Sequence, residues 1–179
     1  MTAAEQGAEV LRVLRAVRSV RDLRPDPIPE DALAAILEAA RWTGSGMNRQ
    51  PWTFVVVRDR DTLAAIATAA PNAAHVANAA AAVVLVMDGD MPEITTFDEG
   101  RVAERILIAA TAQGIASALG WIPPDGRPAV RALLGIPEEK RVRTLVSLGT
   151  PTEAGARPKA APGTARKPLE DVVRQERYG

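Results

Sequence analysis

The chain has 179 residues, with 22 basic and 22 acidic side chains, one His and no Cys. Balanced charge argues against a nucleic-acid binder, and the lack of thiols and the single imidazole exclude a disulfide framework, a thiolate zinc site, a cysteine nucleophile and a multi-histidine metal centre. The length suits one domain over 1–179, and with aromatic residues at 3% its core must be built from Ala, Val, Leu and Ile.

Thr2 followed by Glu5 is a capping box for a first helix, on which Val10, Leu14 and Val17 fall in one apolar stripe. This N-terminal stretch has dispersed charges and no long apolar core, and no run in the chain is long enough to cross a bilayer. The expected compartment is the cytoplasm, with no membrane partner. The prolines at 25, 27 and 29 force an extended connection. A second helix follows, with Leu33, Ile36, Leu37 and Ala40 inward, and it breaks at the polar loop 43–46. Residues 52–57 read as a buried strand. A helix spans 61–70, capped by Asp59 or Asp61. Residues 72–80 are Ala-rich and weakly defined, and 82–87 form a second strand. A loop over 88–96 leads to the longest helix, from 97 to about 117. Its second half is apolar nearly all round, which places it in the core or in a subunit interface. A strand near 119–122, a helix over 128–134 and a strand over 142–148 complete the body. The tail over 150–179 has too few apolar residues for a core of its own, so it hangs free or wraps onto another surface.

No G-x-G-x-x-G follows a strand and no phosphate loop is present, so neither nucleotide motif is supported. His75 lies in an Ala-rich stretch with no nucleophile elbow near it, and reads as a partly buried or surface histidine. Three clusters remain. Arg15, Arg18, Ser19 and Arg21 close the first helix, where guanidinium forks and a hydroxyl suit phosphate oxygens. The loop Gly44-Ser45-Gly46-Met47-Asn48-Arg49-Gln50 places two carboxamides, Asn48 and Gln50, before a core strand. There they could read the edge of a polar heterocycle. In the tail, Arg166 and Lys167 supply a second cationic contact or simply keep the segment soluble.

Together, in this order, these clusters resemble the FMN-dependent nitroreductase family. The resemblance runs through Val17-Arg18-Ser19-Val20-Arg21, the helix from Ile28 to Trp42, and Ser45-Gly46-Met47-Asn48-Arg49-Gln50-Pro51-Trp52. It continues through Ala103 to Ala110, Leu133 to Pro137, Leu148 to Pro151 and Arg166 to Val173, and so covers nearly the whole chain. It implies an α+β fold: a three-layer α/β/α sandwich with a central, mostly antiparallel sheet. It also implies a homodimer whose C-terminal tails extend onto the partner, with two FMN sites at the interface. On this resemblance Arg18, Ser19, Arg21 and Arg166 hold the phosphate, with Lys167 beside it. Ser45, Gly46 and Asn48 reach the flavin from the partner, with Gln50 in the same loop. Asn72 contacts the pyrimidine ring, His75 is its neighbour, and amides of Leu119, Gly120 and Trp121, in the loop after the long helix, approach N5.

Three departures from the family pattern stand out. Val17 replaces a basic residue, Gly44 replaces a proline, which loosens its loop, and Gly114 to Trp121 departs from the common Gly-Leu-Gly run. The implied activity is ping-pong transfer from NADH or NADPH to a nitroaromatic, quinone or similar small conjugated acceptor. It needs no catalytic side chain and no metal, since the cofactor carries the chemistry. A flavin-sequestering or sensor protein with little turnover, and a branch doing another flavin reaction such as reductive dehalogenation, stay open as alternatives.

Overall fold

The computed structural model describes residues 2–157 and 166–178. Helix α1 (Ala3–Ala16) starts at the expected capping box, with Thr2 and Glu5 bonding each other's backbone. A short strand, β1 (Leu23–Arg24), precedes α2 (Glu30–Arg41). Strand β2 (Trp52–Val57) leads to α3 (Arg60–Ala69), whose cap is Asp59 and not Asp61, because its carboxylate accepts from the Thr62 N–H. The weakly defined stretch is a 3-10 helix, Pro71–Asn78, followed by β3 (Ala81–Met87). Helix α4 (Pro92–Ala112), β4 (Ala116–Trp121), α5 (Arg127–Leu134) and β5 (Arg141–Pro151) complete the body. Two single-turn helices, α6 (Glu153–Ala156) and α7 (Leu169–Val172), lie in the tail.

The long helix is displaced from its expected bounds at both ends. It begins at Pro92, since Pro is well placed in a first helical turn, so most of the expected loop over 88–96 is helical. It stops at Ala112 because Gly114 adopts φ 70°, and Ser117 belongs to β4 instead. Apolar periodicity misled here, since Ile115, Ala116 and Ala118 continue an apolar run in a different backbone conformation.

Every strand pair is antiparallel. β5 is the central strand, taking β3 on one side, β4 through Ala116↔Gly149 to Trp121↔Thr144, and β1 at its far end. β2 flanks β3 from Trp52↔Met87 to Val57↔Ala82. β3 is buried along its whole length, so its alternating side chains feed two apolar layers. Val83, Leu85, Val146 and Leu148 meet Leu33, Ile36 and Ala40 of α2 and Val102, Ile106 and Ala110 of α4. Ala82, Val84, Val86 and Leu145 meet Leu63 and Ile66 of α3, Val76 of the 3-10 helix and Val130 of α5. The fold is thus the α/β/α sandwich that the sequence implied.

Helix α1 is the exception to this packing. It has no buried residue, and its apolar stripe faces outward, with Val10 58%, Leu11 52% and Leu14 43% exposed.

Two substitutions test the packing. Ile106→Ala, at a fully buried position, should cost about 2–5 kcal/mol in chemical denaturation. In Gly120→Ala the new Cβ would sit 2.7 Å from the Ala73 Cβ and 2.8 Å from a Leu145 methyl, so β4 and the 3-10 helix must part. The expected loss is about 1–3 kcal/mol, and unchanged stability of either variant would contradict this packing.

Candidate functional site

The segment after α1 is fixed to the outer edge of β4. The Val20 N–H donates to the Ser117 carbonyl at 2.8 Å, and Ser19 bridges Ser117 in parallel. Val20 and Leu23 anchor the segment in the core, while Arg18, Ser19 and Arg21 remain exposed. Antiparallel alternation then decides which β4 amides are free. The Ile122 N–H donates to Arg143, which makes Gly120↔Leu145 and Ala118↔Ser147 pairs of the same hydrogen-bonded type. The N–H groups of Leu119 and Trp121 therefore point away from β5, toward the edge that Ser19 joins. Leu119, Gly120 and Trp121 stand in a strand, as the residue pattern near 119–122 predicts, and not in the loop that the resemblance implies, and the Gly120 amide is turned into the ladder.

The 3-10 helix completes this edge. Ala73 packs against Gly120, so the exposed Asn72 is held beside β4. His75, half-buried, has an Nε2 with no hydrogen-bond partner among the described residues. Burial pushes the imidazole below its ordinary pKa, and the nearby Arg21 pushes it the same way. A hydrogen bond with the Ala118 backbone opposes them.

Arg18 is directed differently from Arg21. Its Nη2 donates to the Ala156 carbonyl at 3.1 Å, and it lines a cavity of about 530 Å³ with Arg15, Thr111, Gly114, Ser117 and Pro151. Arg166 and Lys167 are exposed just ahead of α7.

The Ser45–Gln50 loop is compact and strained. Met47, Asn48 and Gln50 all have φ between 51° and 54°, a region that L-residues enter at a cost. The Gln50 N–H donates to the Ser45 hydroxyl at 2.8 Å, and the Asn48 N–H to the Ser45 carbonyl at 3.0 Å. Arg49 ties the loop to the start of α4 by pairing with Asp90 and donating to the Met91 sulfur. Gly44 lies close under the Arg101 side chain, where a Cβ would come 3.0 Å from the end of the guanidinium. Sequence reading missed Arg49 as a residue that holds this loop, and only its long-range contacts reveal it.

The candidate residues thus form two groups at opposite corners of the sheet. Trp52 opens β2 opposite Met87, which is level with Arg141, whereas Ser117 is level with Leu148. Arg141 to Leu148 spans roughly 24 Å along the strand, and the four strand spacings from β2 to Ser19 add roughly 19 Å across it. No small ligand held at Ser19 and Arg21 reaches Asn48 of the same chain.

The single histidine makes one prediction clean. Its folded-state pKa lies below the ordinary 6.5, so the unfolded chain binds the proton more readily, and His75 costs stability as pH falls through that value. NMR titration of its ring should give a midpoint below 6.5, and His75→Gln should lose less stability than the parent between pH 7.5 and 5.5. A midpoint at or above 6.5 would contradict the buried, cation-flanked environment.

Comparison with known proteins supplies the family. The nitroreductase family model matches residues 14–93. A protein of Archaeoglobus fulgidus, provisionally named NADH dehydrogenase/NAD(P)H nitroreductase, is 38% identical over 70% of this chain and 76% of its own. A Thermus thermophilus NADH dehydrogenase is 34% identical over 84% of this chain and 87% of its own. The solved structure of an FMN-dependent nitroreductase from Clostridium difficile superposes with a TM-score of 0.84 at 21% identity, covering 94% of this chain and 99% of that one. Among the described residues no helix is long and apolar enough to cross a membrane, and no cluster of His, Asp and Glu could hold a metal ion. The chain belongs to the nitroreductase family and is an oxidoreductase of that family.

Proposed function

We propose that the protein is a cytoplasmic, FMN-dependent enzyme that takes hydride from NADH or NADPH. It passes the electrons to nitroaromatic, quinone or similar conjugated acceptors in a ping-pong cycle. It works as a homodimer with two sites, each drawing on both chains, and 1–179 is one domain whose tail over 150–179 extends onto the partner. The observation that carries this reading is the β4 edge, where the Val20–Ser117 bond fixes the segment bearing Ser19 and Arg21 beside the two outward amides of Leu119 and Trp121.

The residues present fit the cofactor. A phosphate calls for cations and a hydroxyl, which Arg18, Ser19 and Arg21 offer from one exposed segment. A ring edge with donors and acceptors calls for amides and a carboxamide, which Leu119, Trp121 and Asn72 offer. The unpartnered His75 Nε2 lies beside them. Bound there, FMN supplies the two-electron chemistry that no side chain of this sequence provides.

The chain's own residues do the positioning. Arg21 and Ser19 hold the phosphate, with Arg18 and Arg166 adding charge and Lys167 next to them. Asn72 fixes the pyrimidine edge, and the β4 amides stabilise negative charge on the ring by preorganised donors that need not reorient. Ser45, Gly46, Asn48 and Gln50 of a second copy close the site, their strained loop already set in place. The open faces of the single chain support that second copy. The stripe of α1 is uncovered, and in the tail Leu169 is 72% and Val172 60% exposed.

The purified protein should be yellow, or become so on incubation with FMN, and anaerobic NADH or NADPH should bleach it. A protein that takes up no flavin overturns the proposal, and one whose flavin neither nucleotide reduces limits it to binding. Arg21→Ala should weaken FMN retention by about 1.5–3 kcal/mol in a fluorescence titration, the value of one charge-assisted hydrogen bond. Unchanged affinity would remove Arg21 from the phosphate site.

A further inference from the structure

β5 carries a bulge beside the candidate site. Leu85 pairs with Thr144 and Val86 with Val142, which leaves Arg143 without a partner on the β3 side. Bulges re-aim side chains, and this one sends Arg143 toward α4. Its Nε donates to the Glu99 carboxylate at 2.5 Å, and Glu99 is only 2% exposed. The other Glu99 oxygen has no hydrogen-bond partner among the described residues. A buried ion pair adds little net stability, and an unsatisfied oxygen subtracts from it, so stability does not explain the arrangement.

What the pair does hold is an exposed tryptophan. The Arg143 guanidinium lies 5.7 Å from the centroid of the Trp121 indole, and the Arg127 guanidinium lies 5.5 Å from it. Trp121 is the last residue of β4, is 41% exposed, and has one of the outward amides. Glu99 neutralises Arg143. Arg127 differs: its Nε donates to the Ile122 carbonyl, and no carboxylate of the described residues lies within 4.0 Å of its guanidinium. The uncompensated charge of the cluster therefore belongs to Arg127, held against an aromatic surface at the end of the strand.

We propose that Trp121 and Arg127 form a subsite for an anionic oxygen group carried by a substrate, with Glu99 and Arg143 as positioning residues for the indole. The group is the carboxylate of an aromatic acceptor or the 2′-phosphate of the nicotinamide donor. Both present oxygens that a guanidinium fork binds in pairs. The subsite rests on the proposed flavin function, since it names which substrates the β4 edge selects.

Calorimetric titration of the oxidised, flavin-loaded protein with two matched pairs of probes tests it without turnover: benzoate against benzamide, and NADP⁺ against NAD⁺. In at least one pair the anionic member should bind the parent more tightly. Arg127→Gln should weaken that member by about tenfold, the loss of one charge-assisted bond, while its uncharged or less charged counterpart changes little. Arg127→Lys should restore part of the preference. The pair that responds identifies the source of the anion. Equal binding within both pairs in the parent, or equal weakening of both members by Arg127→Gln, would overturn the subsite. The flavin spectrum of the same sample reports separately on whether the cofactor is held, so failure of the subsite and failure of the proposed function are distinguishable.

Discussion

β5 is the constraint on which the rest of the structure hangs. One eleven-residue strand pairs with β3, β4 and β1, and its register sets where each of them ends. Because β5 is paired along both sides and buried on both faces, a one-residue slip would turn the residues against α4 toward α3 and expose both layers to mismatch. The alternation that builds the core also decides which β4 amides point outward. Packing and candidate chemistry therefore share one cause.

The same sheet keeps the two groups of candidate residues apart. Arg18, Ser19 and Arg21 sit where β4 begins, at the far end of β5, and the Ser45–Gln50 loop sits at the near end beyond β2. A rigid twisted sheet cannot bring those corners together within one chain. A second copy, related so that one chain's corner meets the other's opposite corner, can. The outward stripe of α1 and the exposed Leu169 and Val172 give that copy surfaces to cover. In this reading strain in the Asn48 loop is a cost accepted for preorganisation. Arg49, paired with Asp90, and the Ser45 hydroxyl, which accepts from the Gln50 N–H, supply contacts that hold the loop.

Much of the fold was legible in the sequence because short-range rules decided it. The Thr2–Glu5 capping box, the β-branched run of β2 and the 3.6-residue spacing of Leu33, Ile36 and Ala40 each specify an element without reference to the rest. The boundary between α4 and β4 was not legible, since Ile115 to Ala118 are apolar in either conformation and only the left-handed Gly114 marks the change. The site residues could be named from resemblance, but their arrangement could not. Arg18 points to Ala156 while Arg21 lies near His75, and nothing in Arg-Ser-Val-Arg announces that split. The bulge at Arg143 was equally invisible, because it arises from a register shift against β3.

Complementation between two damaged chains tests the two-chain site most directly. Arg21→Ala and Asn48→Ala each remove a contact from a different corner, so each homodimer should lose flavin affinity. In a subunit-exchanged mixture, half the dimers are mixed, and each mixed dimer has one site with both lesions and one with none. Tight flavin binding should then return to about a quarter of all sites, as two-fold symmetry dictates. A mixture that binds no more flavin than the separate variants would contradict a site shared between two chains.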